Sequence, residues 1–386
     1  MILVPPLLLD HKIPLNFKEL AKASNNFAPD RKIGEGGFGS VYMGCLPDGR
    51  VVAIKHRGLN SPQGMEPFKA EIAILSAIRY KHIVPLYSYY VLVEEKQKRH
   101  LLRPSRKEKE EKEHLLVFEY MENGSLDHHL HGPTSSSSSP VEILLGVSRA
   151  IEYLQFCGQQ PIIHRDIKPS NILLDGNWTP RLKDFGLGFA LTEEKAETDT
   201  VIGTHGYLAP EYHMERTLNL MTDVYSFGVV MMVVLTGKKS YLFDEESVER
   251  NREEWKEREK TEEFEEDEKR EECAEEEGEN TQDDKEESER QEEEKTTEEW
   301  HEWYKWDERS DRSLVSIALP LIEAGEVWKM LDRRPAAEPT PRQLEAVELV
   351  AQTAVHCVRL RWEERPPISV FVTNLEKALE LARYDG

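Results

Sequence analysis

Residues 34–41 read Gly-Glu-Gly-Gly-Phe-Gly-Ser-Val, four glycines within six positions, between strand-like runs at Arg31–Ile33 and Ser40–Met43. Without a Cβ, such a run turns tightly and lets backbone N–H groups come close to a phosphate. The spacing resembles a dinucleotide fingerprint too, but here a strand follows Gly39 where that unit would open a helix. A glycine-rich β-hairpin is therefore expected.

Further motifs follow in order. Val52-Ala53-Ile54-Lys55 sets a lysine on a strand, 16 positions past Gly39, where an ammonium can contact the α and β phosphates of a nucleotide. Glu71 comes 16 positions later, within Glu66–Ile78, whose apolar Phe68, Ile72, Ile74, Leu75 and Ile78 have helical spacing. From that helix its carboxylate can pair with Lys55. His164-Arg165-Asp166 with Asn171 has the spacing H-R-D-x-x-x-x-N, in which a carboxylate takes a hydroxyl proton and an amide oxygen binds a cation. Asp184-Phe185-Gly186 supplies a second oxygen ligand, and Ala209-Pro210-Glu211 closes the segment it begins. Hard oxygen ligands suit Mg²⁺. Taken singly, Lys55 and Glu71 read as surface residues and the triplets as chance; the ordered set does not.

The chain's charge is concentrated. Of 386 residues, 73 are Asp or Glu and 50 Lys or Arg, a net charge of −23. Residues 241–310 hold 33 of those acids and 12 of the bases, leaving a nearly neutral remainder of 40 against 38. That excludes a surface built as a whole to bind nucleic acid or anionic lipid. Cys45, Cys157, Cys273 and Cys357 lie far apart with no C-x-x-C pair, so neither a disulfide framework nor a zinc site is expected. Met1–Leu9 is apolar but short and broken by Pro5 and Pro6, which reads as neither a membrane span nor a signal peptide. Ile2 rules out N-myristoylation, which needs glycine there.

Strands are expected at Val51–Lys55, Leu86–Val93 and Leu115–Tyr120, the last two separated by the charged stretch 94–113, read as a solvated hairpin extension. Helices are expected at Ser125–Leu130, Val141–Phe156, Val224–Leu235, Leu344–Cys357 and Val370–Leu381, with a Ser-rich linker at Ser135–Ser139. The acidic stretch 241–310 is poor in branched aliphatics and reads as disordered or as a solvent-bathed helix.

With these motifs in place, the chain resembles the eukaryotic protein kinases over about residues 31–380. More narrowly it is similar to plant receptor-like serine/threonine kinases, through Phe17-Lys18-Glu19-Leu20, Asn25-Asn26-Phe27 and Leu116–Leu126. Asp223–Gly228, Cys357–Leu360 and Arg365-Pro366 resemble the CRINKLY-type branch. The resemblance implies an α+β, two-lobed fold. An N-terminal segment 1–30 leads to a β-rich N-lobe with one helix over 31–120, carrying the charged insert 94–113. A mainly helical C-lobe over 121–380 carries the acidic insert 241–310, and 381–386 is a tail.

It further implies transfer of the γ-phosphoryl of Mg-ATP to serine or threonine hydroxyls, with autophosphorylation. Ile33, Gly34, Glu35, Gly36, Gly37, Phe38, Gly39 and Val41 would cover the nucleotide, Ala53 and Leu173 would sandwich the adenine, and the backbones of Glu119 and Met121 would bond its edge beside Phe118. Lys55 and Glu71 would hold the phosphates, Asn171 and Asp184 the metal, Asp166 the nucleophile and Lys168 the transferred charge. Thr204 would bond near Asp166. Arg165 would receive a phosphate on the activation segment, with Thr200 preferred over Thr192 and Thr198. Glu211–Arg365 and Asp223 would brace the structure. Partners would be protein substrates and an upstream receptor kinase, with no nucleic acid. The resemblance places the chain in the cytoplasm, reaching the inner face of the plasma membrane through a partner. It departs from receptor-like kinases in lacking an ectodomain and a membrane span, and in having Gln155 where histidine is frequent.

Overall fold

The computed structural model describes residues 15–36, 39–58, 65–97, 107–132, 139–241, 313–332 and 340–383. Its first element, α1 (Phe17–Ala23), is started by a reciprocal cap: the Glu19 N–H donates to Asn16 Oδ1 at 3.0 Å and the Asn16 N–H to Glu19 Oε2 at 2.9 Å. Sequence reading took residues 1–30 only as a leading segment, so this helix is an addition to it.

Next come β1 (Lys32–Gly36), β2 (Gly39–Cys45), β3 (Val51–Gly58), α2 (Glu66–Ala77), β4 (Leu86–Gln97) and β5 (Lys107–Glu119). The strands form one antiparallel sheet in the order β1-β2-β3-β5-β4. Its two faces follow from the two-residue period of a strand. Val52 and Ile54 of β3 and Leu115 and Val117 of β5 bury on one face against Leu20 of α1 and Leu46. Ala53, paired with Phe118, and Lys55, paired with Leu116, take the other. The β4–β5 ladder runs on to the pair Gln97–Lys107, so the two ends of the charged stretch extend this hairpin, while its residues 98–106 lie outside the described ones.

The second lobe is built of α3 (Leu126–His131), α4 (Pro140–Phe156), α5 (Pro210–Met214), α6 (Met221–Thr236), α7 (Leu314–Glu323), α8 (Pro341–Cys357) and α9 (Ile368–Arg383). Three two-stranded ladders link them: β6 (Ile162–Ile163) with β9 (Phe189–Ala190), β7 (Ile172–Leu174) with β8 (Pro180–Leu182), and β10 (Lys195–Glu197) with β11 (Thr217–Asn219). Helix α6 is apolar on all sides and buried from Thr222 to Val234, which makes it the axis of this lobe. It stops at Gly237, whose φ of 62° places it in the left-handed region that ends helices.

The expected elements are thus present, with α1, α5, α7 and the short strands β6 to β11 being additions. The serine linker lies mostly, and the acidic insert almost wholly, outside the described residues. No helix among the described residues is long and apolar enough to cross a membrane.

Candidate active site

The β1–β2 hairpin closes at the pair Gly36–Gly39. Gly39 has φ 115°, and a Cβ there would lie 2.4 Å from the His56 carbonyl oxygen, so only glycine fits. Gly37 and Phe38 fall outside the described residues. Ile33, Gly34 and Glu35 lie on β1, and Val41 on β2 stands directly across from Lys55. Ala53 of β3 and Leu173 of β7 are both half-buried, as a residue lining an open cleft should be. At the rim, the Glu119 N–H is turned to Pro85 O at 3.3 Å, and Met121 O accepts from the Gly124 N–H at 3.2 Å. A carbonyl oxygen has a second lone pair, so the Met121 backbone stays compatible with bonding a ligand edge.

Lys55 is held from two sides. Its Nζ donates to Glu71 Oε2 at 2.7 Å and to Asp184 Oδ1 at 2.8 Å, and its side chain is 13% exposed. Burial alone would pull its pKa down, but the two carboxylates outweigh it and hold the ammonium above its usual range. Burial, together with the negative Asp184, pushes the Glu71 carboxyl up against the opposing pull of Lys55. Burial acts in the same upward direction on Asp184, yet Lys55 and Lys183 override it and bring its pKa down to about 2. Asp184 has φ 71°, a left-handed conformation that aims its carboxylate at both lysines.

Asp166 is the centre of a second cluster. Its Oδ1 accepts from Thr204 Oγ1 at 2.6 Å; its Oδ2 accepts from Asn171 Nδ2 at 2.7 Å and lies 2.9 Å from Lys168 Nζ. Lys168 Nζ also donates to Thr204 Oγ1 at 2.5 Å. The loop that carries Asp166 is pinned from below by Asp223, which accepts the His164 N–H at 2.7 Å and the Arg165 N–H at 2.9 Å. His164 accepts the Asp166 N–H at Nδ1 and therefore donates from Nε2 to Lys183 O, 2.9 Å away, which joins the Asp166 loop to the Asp184 segment. A largely buried lysine held between two carboxylates, and a second carboxylate tied to a hydroxyl, an amide and a lysine, are side chains of the kind that phosphoryl transfer from a nucleotide needs.

Comparison with known proteins agrees with this geometry. The family model described as protein kinase domain matches residues 27–318. The chain belongs to the protein kinase family. Its relatives are plant receptor-like serine/threonine kinases of Arabidopsis thaliana. The serine/threonine-protein kinase-like protein CCR3 is 36% identical over 95% of this chain and 38% of its own length. Cysteine-rich receptor-like protein kinase 27 is 38% identical over 58% of this chain and 33% of its own. The G-type lectin S-receptor-like serine/threonine-protein kinase SRK is 36% identical over 64% and 28%. The chain thus spans well under half the length of these relatives.

The remaining residues of this kinase domain fall into place around the two clusters. Glu211 on α5 and Arg365 form a wholly buried double hydrogen bond, at 2.8 and 2.7 Å, as expected from sequence. Gly203, at φ 144°, passes so near the Arg165 carbonyl that a Cβ would sit 2.9 Å from it; this close approach seats Thr204 on Asp166. Arg165, expected as a phosphate receptor, donates from Nε to Leu187 O at 2.5 Å and lies 5.5 Å from the Phe189 ring centroid. Thr200 is exposed, with only its carbonyl accepting, from Thr198 Oγ1 at 3.4 Å. The structure does not bring Thr200 and Arg165 together. Gln155 donates from Nε2 to Leu220 O at 3.1 Å, fixing the start of α6.

Sequence reading passed over Lys183. Its Nζ donates to Asn171 Oδ1 at 2.9 Å and lies 3.9 Å from Asp184 Oδ2. The signal was a cationic residue directly beside an expected cation ligand.

Proposed function

We propose that this domain transfers the γ-phosphoryl of ATP to a serine or threonine hydroxyl of a protein, acting in the cytoplasm within receptor-like signalling. The observation that carries the reading is the Lys168–Asp166–Thr204 cluster beside the Lys55–Glu71–Asp184 grip. Asp166 accepts the proton of the attacking hydroxyl and orients its oxygen; the new O–P bond forms as the bond to the ADP leaving oxygen breaks. Lys55 holds the phosphates, and Lys168 neutralises charge on the moving group. Thr204, donating to the same carboxylate, fixes its direction. The lysine after Asp166 and the Thr204 loop support serine/threonine over tyrosine acceptors.

The Asp184 carboxylate and the Asn171 amide oxygen are hard oxygens that already face one cation, the Lys183 ammonium, so they fit Mg²⁺: Asp184 would hold an ion together with the nucleotide phosphates, and Asn171 would be a ligand for an ion that displaces the ammonium. When bound, the ion supplies neutralisation of phosphate charge.

Transfer of labelled phosphate from Mg-ATP to the chain itself and to a basic protein tests the reading, comparing wild type with Asp166→Asn. Incorporation should be present in wild type and lost in the variant. Nucleotide binding without incorporation in either would point to a scaffold that keeps the fold alone.

A further inference from the structure

Lys183 occupies the place where the preceding reading puts a divalent cation. Its ammonium is 2.9 Å from Asn171 Oδ1 and 3.9 Å from Asp184 Oδ2. Asn171 cannot turn that oxygen aside, because its Nδ2 is committed to Asp166 Oδ2 at 2.7 Å and Asp166 O at 2.9 Å. Asp184 Oδ1 is likewise taken, by Lys55. The Lys183 backbone is fixed as well, by the bond from His164 Nε2 to its carbonyl. The ammonium therefore faces the two oxygens that remain.

We infer that Lys183 is a resident cation of this pocket, so that the domain takes up one divalent ion with its nucleotide where the family's ligand pair would accept two. The inference rests on the reading of Asn171 and Asp184 as the cation ligands. Mg²⁺ or Mn²⁺ bonds an oxygen at about 2.1 Å, using the lone pair that now accepts the lysine N–H. An ion on Asn171 Oδ1 must displace the ammonium, and the displaced charge stays tethered to the residue next to Asp184. There it opposes a second positive centre in a partly dry cleft. An ion held by the Asp184 carboxylate and the nucleotide phosphates does not need the Asn171 oxygen and is retained. Lys183 thus supplies one positive charge at no dependence on metal concentration.

The test counts metal rather than turnover. The full chain, saturated with a non-hydrolysable ATP analogue, is titrated with Mn²⁺ and the free ion is followed by electron paramagnetic resonance. Wild type and Lys183→Arg should bind one Mn²⁺ per nucleotide-loaded chain. Lys183→Thr and Lys183→Met should bind two, the second at least about tenfold tighter than any further Mn²⁺ on wild type. Analogue binding, measured in each variant, shows that the pocket is folded, and two replacements of different size guard against one that is not. Two ions on wild type would overturn the inference and leave the ligand reading standing. One ion on wild type and on both variants would overturn it as well, since Lys183 would not be the reason. No Mn²⁺ on any chain that still binds the analogue would bring down both readings.

Discussion

Lys55 shares one positive charge between Glu71 and Asp184 in a site where all three side chains are at most 16% exposed. Removing Glu71 leaves the ammonium held by Asp184 alone, so it loses the second contact that fixes its position in the cleft. Glu71→Gln is therefore expected to lower kcat by about 10²-fold or more, the scale of losing one preorganised electrostatic contact, with a smaller change in KM for ATP. Steady-state kinetics against ATP checks it, and an unchanged kcat would reject the role. A second residue-scale prediction concerns pH. Burial, with His205 beside it, pushes the His213 pKa down to about 4 from the usual 6.5, and its buried Nδ1 has no hydrogen-bond partner among the described residues. The unfolded chain then takes up this proton near pH 6.5 and the folded chain only near pH 4. Its stabilising contribution is complete above the unfolded value and is lost as pH falls towards 4. Denaturant unfolding in pH steps between 6.5 and 4 should show a shallower decline for His213→Leu than for wild type; equal slopes would exclude it.

Between elements, the strongest tie is Glu211 to Arg365, both side chains 0% exposed. Arg365 also donates to Arg359 O, Leu360 O and Met221 O and lies 5.0 Å from the Tyr225 ring, so it binds α5, the start of α6 and the turn between α8 and α9 into one unit. Arg365→Met should cost about 3–5 kcal/mol, because Glu211 is left ionised and alone, whereas adding Glu211→Leu should recover part of that loss. Denaturant midpoints of the two variants decide it: a double variant no more stable than the single would mean that the carbonyl bonds, not the ion pair, dominate. This pairing, the Asp223 brace and the clusters around Lys55 and Asp166 were legible in sequence because each rests on residues at fixed spacing in recognisable motifs. Other elements were not. Helix α7 contains Pro320 in its interior and follows the long acidic stretch, two signals that argue against a helix. Helix α1 is short, and its worth lies in Leu20 covering a sheet face, a contact between residues far apart in sequence. For Lys183 the sequence signal was only its place next to Asp184; which oxygens it meets is shown by the fold.

At the scale of the molecule, the net charge and the folded lobes are separable. Residues 242–312 contain 34 acids and 13 bases, which leaves −2 of the total −23 to everything else. On either side of that stretch the chain comes back together: the Leu314 N–H donates to Ser240 O at 2.8 Å, and Tyr241 pairs with Ser313 in an antiparallel bridge. The two ends are thus joined by contacts that do not involve the 71 residues between them. Replacing residues 242–312 by about six glycines and serines should keep the fold, with a denaturant midpoint no lower than wild type, since the contacts that join Ser240 and Tyr241 to Ser313 and Leu314 remain. The same change should alter how substrates arrive. A charge of this size attracts a basic peptide over about 8 Å or more at physiological ionic strength, and that attraction fades as salt is added. For the intact chain, kcat/KM towards a Lys- and Arg-rich peptide should fall steeply between 50 and 300 mM salt, on the order of tenfold, whereas the shortened chain should start lower and change little. A neutral peptide should show no difference between the two. Equal salt dependence in both chains would mean that basic substrates are drawn by the lobes themselves and that the acidic stretch leaves encounter untouched.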